Sequence, residues 1–195
     1  PKNKVYIVTT NKKDFLSETF KDVENIGLAA EYGFFYKPPQ ERDYTKYETL
    51  FNIKDWTWRD TVMKILQKFQ EKTEGSYIEV KEATLGLVYK KCDNYFGNLQ
   101  ATELTNHLNN IFEGDKLDII NELDCVEIKP KNVNKGYFIS HIIQKELNEG
   151  RPPNFVIAVG SGENNEEMFK YLTSLETQLK KIGKNISTYG VTVGK

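Results

Sequence analysis

The chain has 195 residues, of which 27 are Lys or Arg and 28 are Asp or Glu. This balance gives no electrostatic argument for binding nucleic acid or an acidic membrane surface. No run of 18 apolar residues occurs and no signal peptide is visible at the start, which predicts a cytoplasmic protein. Two cysteines and two histidines indicate neither a disulfide framework nor a zinc site.

The first quarter of the chain predicts a strand, a helix and a second strand that is broken by glycines. Val5–Val8 is a continuous apolar run, which is typical of a buried strand. Residues 9–11 are Thr, Thr and Asn, types that cap the start of a helix. Residues 27–36 predict a core strand and turn, and the polar residues from 38 to 47 predict a loop.

The middle of the chain, from about residue 50 to residue 128, predicts a local unit of two helices and four strands. Its elements are a helix opening at Asp55 or Thr57, strands at 76–81 and 84–89, a helix at about 98–112, and strands at 116–120 and 124–128. The alternating pattern of 76–81 indicates a half-exposed strand, and the short link after it indicates a hairpin.

The last part of the chain returns to alternating helices and strands. The elements are a helix over 138–147, a strand at Phe155–Val159, a helix to about Lys181 and a strand at 186–193. Such alternation at both ends of the chain predicts an α/β fold with a parallel, Rossmann-like core. We expect the core to comprise residues 1–49 and 129–195, and residues 50–128 to form an inserted α+β cap.

The stretch Phe155–Phe169 begins with a short apolar run that ends at Gly160 and is followed by an acidic helix start, which predicts a parallel strand buried on both faces. In open α/β sheets, ligands bind at the carboxyl ends of such strands. Ser161, Gly162 and Asn165 occupy the positions after this strand, and none of them carries a charge.

Six segments of the chain resemble the sequence motifs of one known protein family. They are GLAAEYGFF at 27–35, EVK at 79–81, VYKKCD at 88–93, VEIKPKNVNKG at 126–136, FVIAVGSGENNEEMF at 155–169 and VTVGK at 191–195. Together they resemble motifs of the trehalose-6-phosphate phosphatases, along essentially the whole chain. These enzymes are haloacid-dehalogenase-like phosphatases, so the resemblance implies a Rossmann-like core with a cap inserted. The family also includes the C-terminal domains of trehalose-phosphate synthase proteins, some of which are inactive.

The resemblance implies a reaction that needs an aspartate nucleophile, which attacks phosphorus. No Asp-x-Asp-Gly-Thr sequence occurs in the chain, and the family places that motif upstream of Pro1. We therefore interpret the sequence as a fragment that starts after the first core strand. Thr9 and Lys135 match the family's phosphate-binding Ser/Thr and lysine. The alternatives are that Thr9 only caps a helix and that Lys135 is a surface lysine beside a turn.

The resemblance also locates a degenerate metal site. Ser161, Gly162 and Asn165 stand where the family has aspartates, and Glu166 keeps the neighbouring acid. Mg²⁺ prefers carboxylate oxygens and negative charge, so we expect weak or absent binding. No cofactor is therefore expected, although active members of the family use Mg²⁺.

Three positions match the family's trehalose contacts: Glu79, Lys81 and Lys90. Glu79 and Lys81 are two residues apart, so they point from the same face of one strand. Lys90 replaces an arginine and loses its bidentate geometry. The alternative for Glu79 and Lys81 is an exposed ion pair, which contributes little stability.

Our main hypothesis from the sequence is a catalytically inactive trehalose-phosphatase-like domain with a structural or regulatory role. Its expected partners are trehalose 6-phosphate and a trehalose-6-phosphate synthase domain in the same chain or complex, with no nucleic acid and no membrane. A second hypothesis is an active Mg²⁺-dependent phosphatase whose nucleophile lies upstream. A third is an interaction module that binds no ligand.

Overall fold

The computed structural model describes residues 3–114, 117–122, 124–161, 165–181 and 186–194. In chain order, the elements are β1 (Val5–Val8), α1 (Lys13–Phe20), β2 (Ile26–Ala30), β3 (Phe35–Lys37), β4 (Glu48–Thr49), α2 (Trp58–Lys72), β5 (Tyr77–Val80), β6 (Leu85–Val88), α3 (Asn94–Ile111), β7 (Leu117–Glu122), β8 (Cys125–Pro130), α4 (Lys135–Asn148), β9 (Phe155–Gly160), α5 (Glu166–Lys181) and β10 (Ser187–Thr192). No helix within the described ranges is both long and apolar enough to cross a bilayer.

The chain divides into two compact units. Pro1–Leu50 and Val133–Lys195 form a discontinuous unit, and Phe51–Asn132 form an inserted unit. The discontinuous unit holds two sheets, one with the order β1-β2-β3-β4 and one that pairs β9 with β10. Strands β1 and β2 are parallel, as are β9 and β10, whereas β3 and β4 add in antiparallel fashion.

Helix α4 packs against both sheets of the discontinuous unit. Phe138, in its first turn, lies in one apolar cluster with Ala29 and Tyr36. Ile143, further along the helix, lies in a second cluster with Ala158. This amphipathic helix therefore provides apolar contacts to the β1–β4 sheet and to the β9–β10 sheet at once.

The prediction that residues 155–159 form a fully buried strand is wrong for alternate positions. Phe155, Ile157 and Val159 are each more than half exposed, whereas Ala158 is buried. Helices α4 and α5 cover only one face of the β9–β10 pair among the described residues, so the period-2 alternation of a strand leaves every second side chain in solvent. On the neighbouring strand, Tyr189 and Val191 pair with Ile157 and Val159 and are also exposed.

The start of α1 also differs from its prediction. The residue before the helix is Lys12, and no side chain caps the first turn. The hydroxyl oxygen of Thr9 instead accepts a hydrogen bond from the backbone N–H of Asn11, at 3.2 Å. Thr9 thus stabilises the turn after β1 rather than the helix itself.

The inserted unit is an antiparallel sheet with the order β5-β6-β8-β7 and two helices on one face. Its predicted order of helix, two strands, helix and two strands is confirmed. Helix α3 begins at Asn94, four residues earlier than predicted, because the Asp93 carboxylate caps it by accepting the N–H of Phe96. The core side chains from the helices and the sheet are Val62, Leu66, Leu85, Leu87, Leu104, Leu108, Val126 and Ile128.

Candidate functional site

In the discontinuous unit, the turn after β1 is held by a strained segment that follows β2. Glu31, Tyr32 and Gly33 all have positive φ angles, of 48°, 63° and 89°, which is unusual for the first two residue types. The backbone N–H of Tyr32 donates to the carbonyl oxygen of Thr9 at 2.9 Å. A β-carbon on Gly33 would lie 2.5 Å from the β-carbon of Phe138, so only glycine fits against α4. The strained turn thus links the Thr9 loop to the first turn of α4.

Lys135 is the first residue of that same turn of α4, and it is not a surface lysine. Its side chain is 8% exposed, and its ammonium donates a 2.8 Å hydrogen bond to the amide oxygen of Asn165. The amide nitrogen of Asn165 in turn donates to the carbonyl oxygen of Ser161. A lysine can only donate, which fixes the amide with its oxygen toward Lys135.

Two glycines make this arrangement possible by bringing backbone and side chains close together. A β-carbon on Gly160 would lie 2.7 Å from the side-chain carbon Cγ of Asn165. A β-carbon on Gly136 would lie 2.5 Å from the carbonyl oxygen of Glu167, in the first turn of α5. Both distances are shorter than a van der Waals contact, so a side chain at either position would clash. The two glycines therefore allow the end of β9 and the start of α4 to hold Asn165 and Lys135 against each other.

Of the predicted metal positions, Ser161 and Asn165 contact each other, whereas Glu166 has a different partner. Gly162 lies outside the described residues. Glu166 is exposed, and its carboxylate is 3.4 Å from the ammonium of Lys170, one helical turn on along α5. Within the part of the chain that the structure describes, no group of three His, Cys, Asp or Glu side chains is placed to hold a metal ion.

The inserted unit brings Glu79 and Lys81 together, as their spacing predicts, and adds a partner from another strand. The ammonium of Lys81 lies 3.4 Å from a carboxylate oxygen of Glu79 and 2.8 Å from one of Glu127. The hydroxyl of Thr84 donates to the same Glu127 oxygen at 2.9 Å. These four side chains form a polar network on the sheet face opposite the apolar core.

The network is not the exposed ion pair of the alternative interpretation. Lys81 is 8% exposed and Glu127 has a side chain that is 12% exposed. Burial by itself lowers the pKa of Lys81, but the carboxylates of Glu127 and Glu79 outweigh it, so the pKa is raised. Lys81 therefore stays charged, with its three donors directed among acceptors.

Lys90 is not brought to this network. It is an exposed residue in the turn after β6, whereas Lys81 pairs with Thr84 just before β6 begins. Lys90 is six positions after Thr84, which corresponds to about 20 Å of extended chain.

In these clusters the sequence analysis missed the residue Glu127 and the role of Asn165. Glu127 lies inside the matched segment 126–136, and its charge within an apolar strand was a usable signal. Asn165 was interpreted only as a lost carboxylate, but its amide oxygen receives the Lys135 ammonium.

The family model described as trehalose-phosphatase matches residues 1–195. A probable alpha,alpha-trehalose-phosphate synthase (UDP-forming) of Arabidopsis thaliana is 34% identical over the whole chain. A trehalose-phosphatase of Zygosaccharomyces rouxii is 29% identical over 93% of the chain. The chain spans only about a fifth of these relatives, 22% of the first and 21% of the second.

Solved structures give the same similarity. The C-terminal domain of the Candida albicans trehalose-6-phosphate phosphatase superimposes with a TM-score of 0.87 at 26% identity, covering 99% of this chain and 69% of that one. An Aspergillus fumigatus trehalose-6-phosphate phosphatase gives a TM-score of 0.63 at 30% identity, covering 100% of this chain and 69% of that one. A sucrose-phosphatase from Synechocystis, 13% identical, shares the fold with a TM-score of 0.53, covering 95% of this chain and 78% of that one. The fold is the haloacid-dehalogenase-like α/β fold.

Proposed function

Residues 1–195 belong to the trehalose-phosphatase family, and from this we propose that they form a domain of a trehalose-biosynthesis protein without phosphatase activity. The domain binds trehalose 6-phosphate in a structural or regulatory role. The inserted unit is the cap domain of this family, and its polar face supplies the sugar contacts.

One observation carries the proposal of inactivity. The amide oxygen of Asn165, at a position where active members have a metal-binding aspartate, is already hydrogen-bonded to the ammonium of Lys135. The neighbouring Ser161 adds only neutral oxygens. Mg²⁺ binds through carboxylates and water, so this donor set does not fit it.

The polar network of the inserted unit supports the choice of ligand. Glu79 and Glu127 accept hydrogen bonds, and the Lys81 ammonium donates them, which suits the hydroxyl groups of a sugar. The network is mostly buried and is held by strands β5 and β8 and by the short link between β5 and β6, so it is preorganised for such contacts.

The relatives suggest which polypeptide the domain belongs to. Several are named as trehalose-phosphate synthases, and this chain matches about a fifth of their length. We therefore propose a trehalose-6-phosphate synthase domain in the same chain or complex.

The test uses the full-length protein. We expect no release of phosphate from trehalose 6-phosphate in the presence of Mg²⁺, together with a thermal shift of several degrees at saturating ligand. Mg²⁺-dependent hydrolysis that is abolished by replacing an upstream aspartate would refute the proposal. Absence of any thermal shift would refute ligand binding and favour an interaction module.

A second candidate, an active phosphatase, is favoured by a different observation. Strand β1 and strand β9 each stand at the edge of their sheet, and both run parallel to their described neighbour. Both sheets also contact α4. A strand that carries an aspartate nucleophile fits between two such edges, and the hydrolysis assay decides between the candidates.

A further inference from the structure

The polar network of the inserted unit has an aromatic neighbour on the same face of the sheet. Side chains alternate along β5, so Tyr77 points to the same face as Glu79, opposite the apolar core. Tyr77 lies two positions before Glu79, which is about 7 Å along the strand. Its side chain is 47% exposed, so an accessible aromatic ring stands beside a carboxylate of the network.

The strand pairing continues the Tyr77 ring into an uncharged row across the sheet. Tyr77 pairs with Val88 of β6, and Val88 pairs with Cys125 of β8. Burial, reinforced by the carboxylate of Glu127, raises the pKa of the Cys125 thiol to about 12, so this thiol is neutral at pH 7. A row without charge therefore runs alongside the row that carries the two carboxylates.

The row of the carboxylates has a glycine at its centre. Glu79 pairs with Gly86, and Gly86 pairs with Glu127. A β-carbon on Gly86 would meet the sulfur of Cys125 at 3.0 Å, and the next two atoms near it belong to the backbone. Since Gly86 contributes no side chain, the sheet surface between the two carboxylates, next to the Tyr77 ring, is low.

A pyranose ring matches this combination of groups. Hydroxyl groups surround the rim of such a ring, and C–H groups cover its two faces. The carboxylates of Glu79 and Glu127 have lone pairs for several hydroxyl donors. The π face of an aromatic ring is negative and attracts the weakly positive C–H groups, so Tyr77 is suited to the face of the sugar.

We propose that Tyr77 contacts the ligand directly, its ring stacking on a glucose ring of trehalose 6-phosphate whose hydroxyl groups bind to the polar network. This inference rests on the proposed function and adds a residue that selects the ligand. The network alone recognises hydroxyl groups, whereas the aromatic ring also requires a flat C–H face, which defines the ligand class as a pyranoside.

Calorimetric titration of the full-length protein with trehalose 6-phosphate tests the contact. Tyr77→Ala should raise the dissociation constant at least about fivefold, because it removes the stacked ring. Tyr77→Phe should agree with the wild type within about twofold, since the ring and not the hydroxyl group makes the contact. Tyr77→Leu restores apolar surface without a π face and should remain at least about threefold weaker than the wild type.

Val80→Ala is the matched control for these variants. Val80 lies on the same strand and is also 47% exposed, but it pairs with Leu85 and so points to the other face of the sheet. Its dissociation constant should stay within about twofold of the wild type. Glu79→Ala is the positive control for ligand binding and should weaken it.

A proton NMR titration distinguishes stacking from a structural role of Tyr77. Sugar protons that lie over the face of an aromatic ring shift upfield on binding. We expect upfield shifts of ring C–H protons of trehalose 6-phosphate with the wild type and with Tyr77→Phe, and the loss of these shifts with Tyr77→Leu. A side chain that only supported the strand would leave the shifts unchanged.

The possible failures are distinct. Unchanged affinity in Tyr77→Ala, together with weakened binding in Glu79→Ala, would overturn the stacking contact and leave the proposed ligand recognition intact. Absence of binding to the wild type would overturn that recognition and this inference with it. Equal losses in Tyr77→Ala and Val80→Ala would assign the effect to a disturbed β5, and a full loss in Tyr77→Phe would assign it to the hydroxyl group. Either result would overturn the stacking contact.

Discussion

Two buried lysines illustrate, at the scale of single residues, how the same charge is kept in two different ways. Lys81 in the inserted unit is surrounded by carboxylates of Glu79 and Glu127. Lys135 in the discontinuous unit donates a hydrogen bond to the neutral amide of Asn165. Removing one member of a buried ion pair leaves the other charge uncompensated, which is costly.

Replacing Glu127 by alanine should be strongly destabilising. Among the described residues, the change leaves the buried ammonium of Lys81 with the more distant carboxylate of Glu79 alone, and it removes the acceptor of the Thr84 hydroxyl. We expect the free energy of unfolding to fall by about 2–3 kcal/mol, measured by urea denaturation at neutral pH.

Glu79→Ala is the matched control for that prediction. The Glu79 side chain is 38% exposed and its oxygen is 3.4 Å from Lys81, so we expect a loss below about 1 kcal/mol. Equal losses for the two variants would contradict the assignment of Glu127 as the main partner. In contrast to their effects on stability, both variants should weaken binding of trehalose.

The sequence predicted these positions better than it predicted their partners. Glu79 and Lys81 meet because they are two positions apart on extended chain and so point from the same face, which is a local rule. The partner Glu127 is 46 residues from Lys81, and Asn165 is 30 residues from Lys135. Such pairs depend on strand order and helix packing, and neither is encoded in a local pattern.

At the scale of elements, the close approach of α4 and α5 is set by one residue. A β-carbon on Gly136 would lie 2.5 Å from the carbonyl oxygen of Glu167, which belongs to the backbone and cannot rotate away. Gly136→Ala must therefore push the two helices apart. We expect a loss of about 1–3 kcal/mol in the free energy of unfolding, in spite of the higher helix propensity of alanine.

The appropriate control is Gly194→Ala, because nothing lies within 4 Å of a β-carbon there. It should leave stability within about 0.5 kcal/mol of the wild type. Since Lys135 precedes Gly136, the helix displacement should also weaken binding of trehalose 6-phosphate. A stable Gly136→Ala protein with unchanged binding would show that the contact between the helices is not essential.

The strands and helices themselves were predicted well where their pattern is periodic, as in α2 with its apolar stripe. The prediction failed for burial of β9, whose apolar residues occupy both faces. An apolar run indicates that a strand has been selected for burial on both sides, but the described helices cover only one. Strand β4 was missed because it has only two residues and pairs by register with β3.

At the scale of the whole molecule, alkaline pH should destabilise the fold. Burial, reinforced by the carboxylates of Glu146 and Glu48, raises the pKa of Tyr6 from 10.0 to about 12. Burial, with a hydrogen bond to Glu48, also raises the pKa of Tyr36. The folded state thus holds these protons more tightly than the unfolded state, so the stabilisation is complete below pH 10 and is lost as the pH rises through 12.

Tyr6→Phe tests this dependence. Between neutral pH and pH 11, the free energy of unfolding of this variant should fall by about 1–2 kcal/mol less than that of the wild type. Urea denaturation at several pH values measures this difference. Tyr95→Phe changes a tyrosine that is 81% exposed and should have the same pH dependence as the wild type. Parallel curves for wild type and Tyr6→Phe would contradict the raised pKa.

The exposed face of the β9–β10 pair predicts how residues 1–195 behave when they are expressed as an isolated polypeptide. Phe155, Ile157 and Val159 lie beside Tyr189 and Val191 on one uncovered surface, next to an unpaired edge of β9 in the described sheet. Contiguous apolar surface beside a strand edge favours self-association. We expect concentration-dependent oligomers in sedimentation velocity.

Ile157→Lys should shift that equilibrium toward the monomer, because it places a charge in the centre of the patch and beside Tyr189. Leu99→Lys is the control, since Leu99 is similarly exposed but lies on α3 of the inserted unit. In the full-length protein the same Ile157→Lys change should lower stability if other segments cover the face. Two results together would contradict this prediction: residues 1–195 remain monomeric, and the full-length protein keeps its stability with the lysine. They would show that this surface packs neither against another segment nor against a second copy.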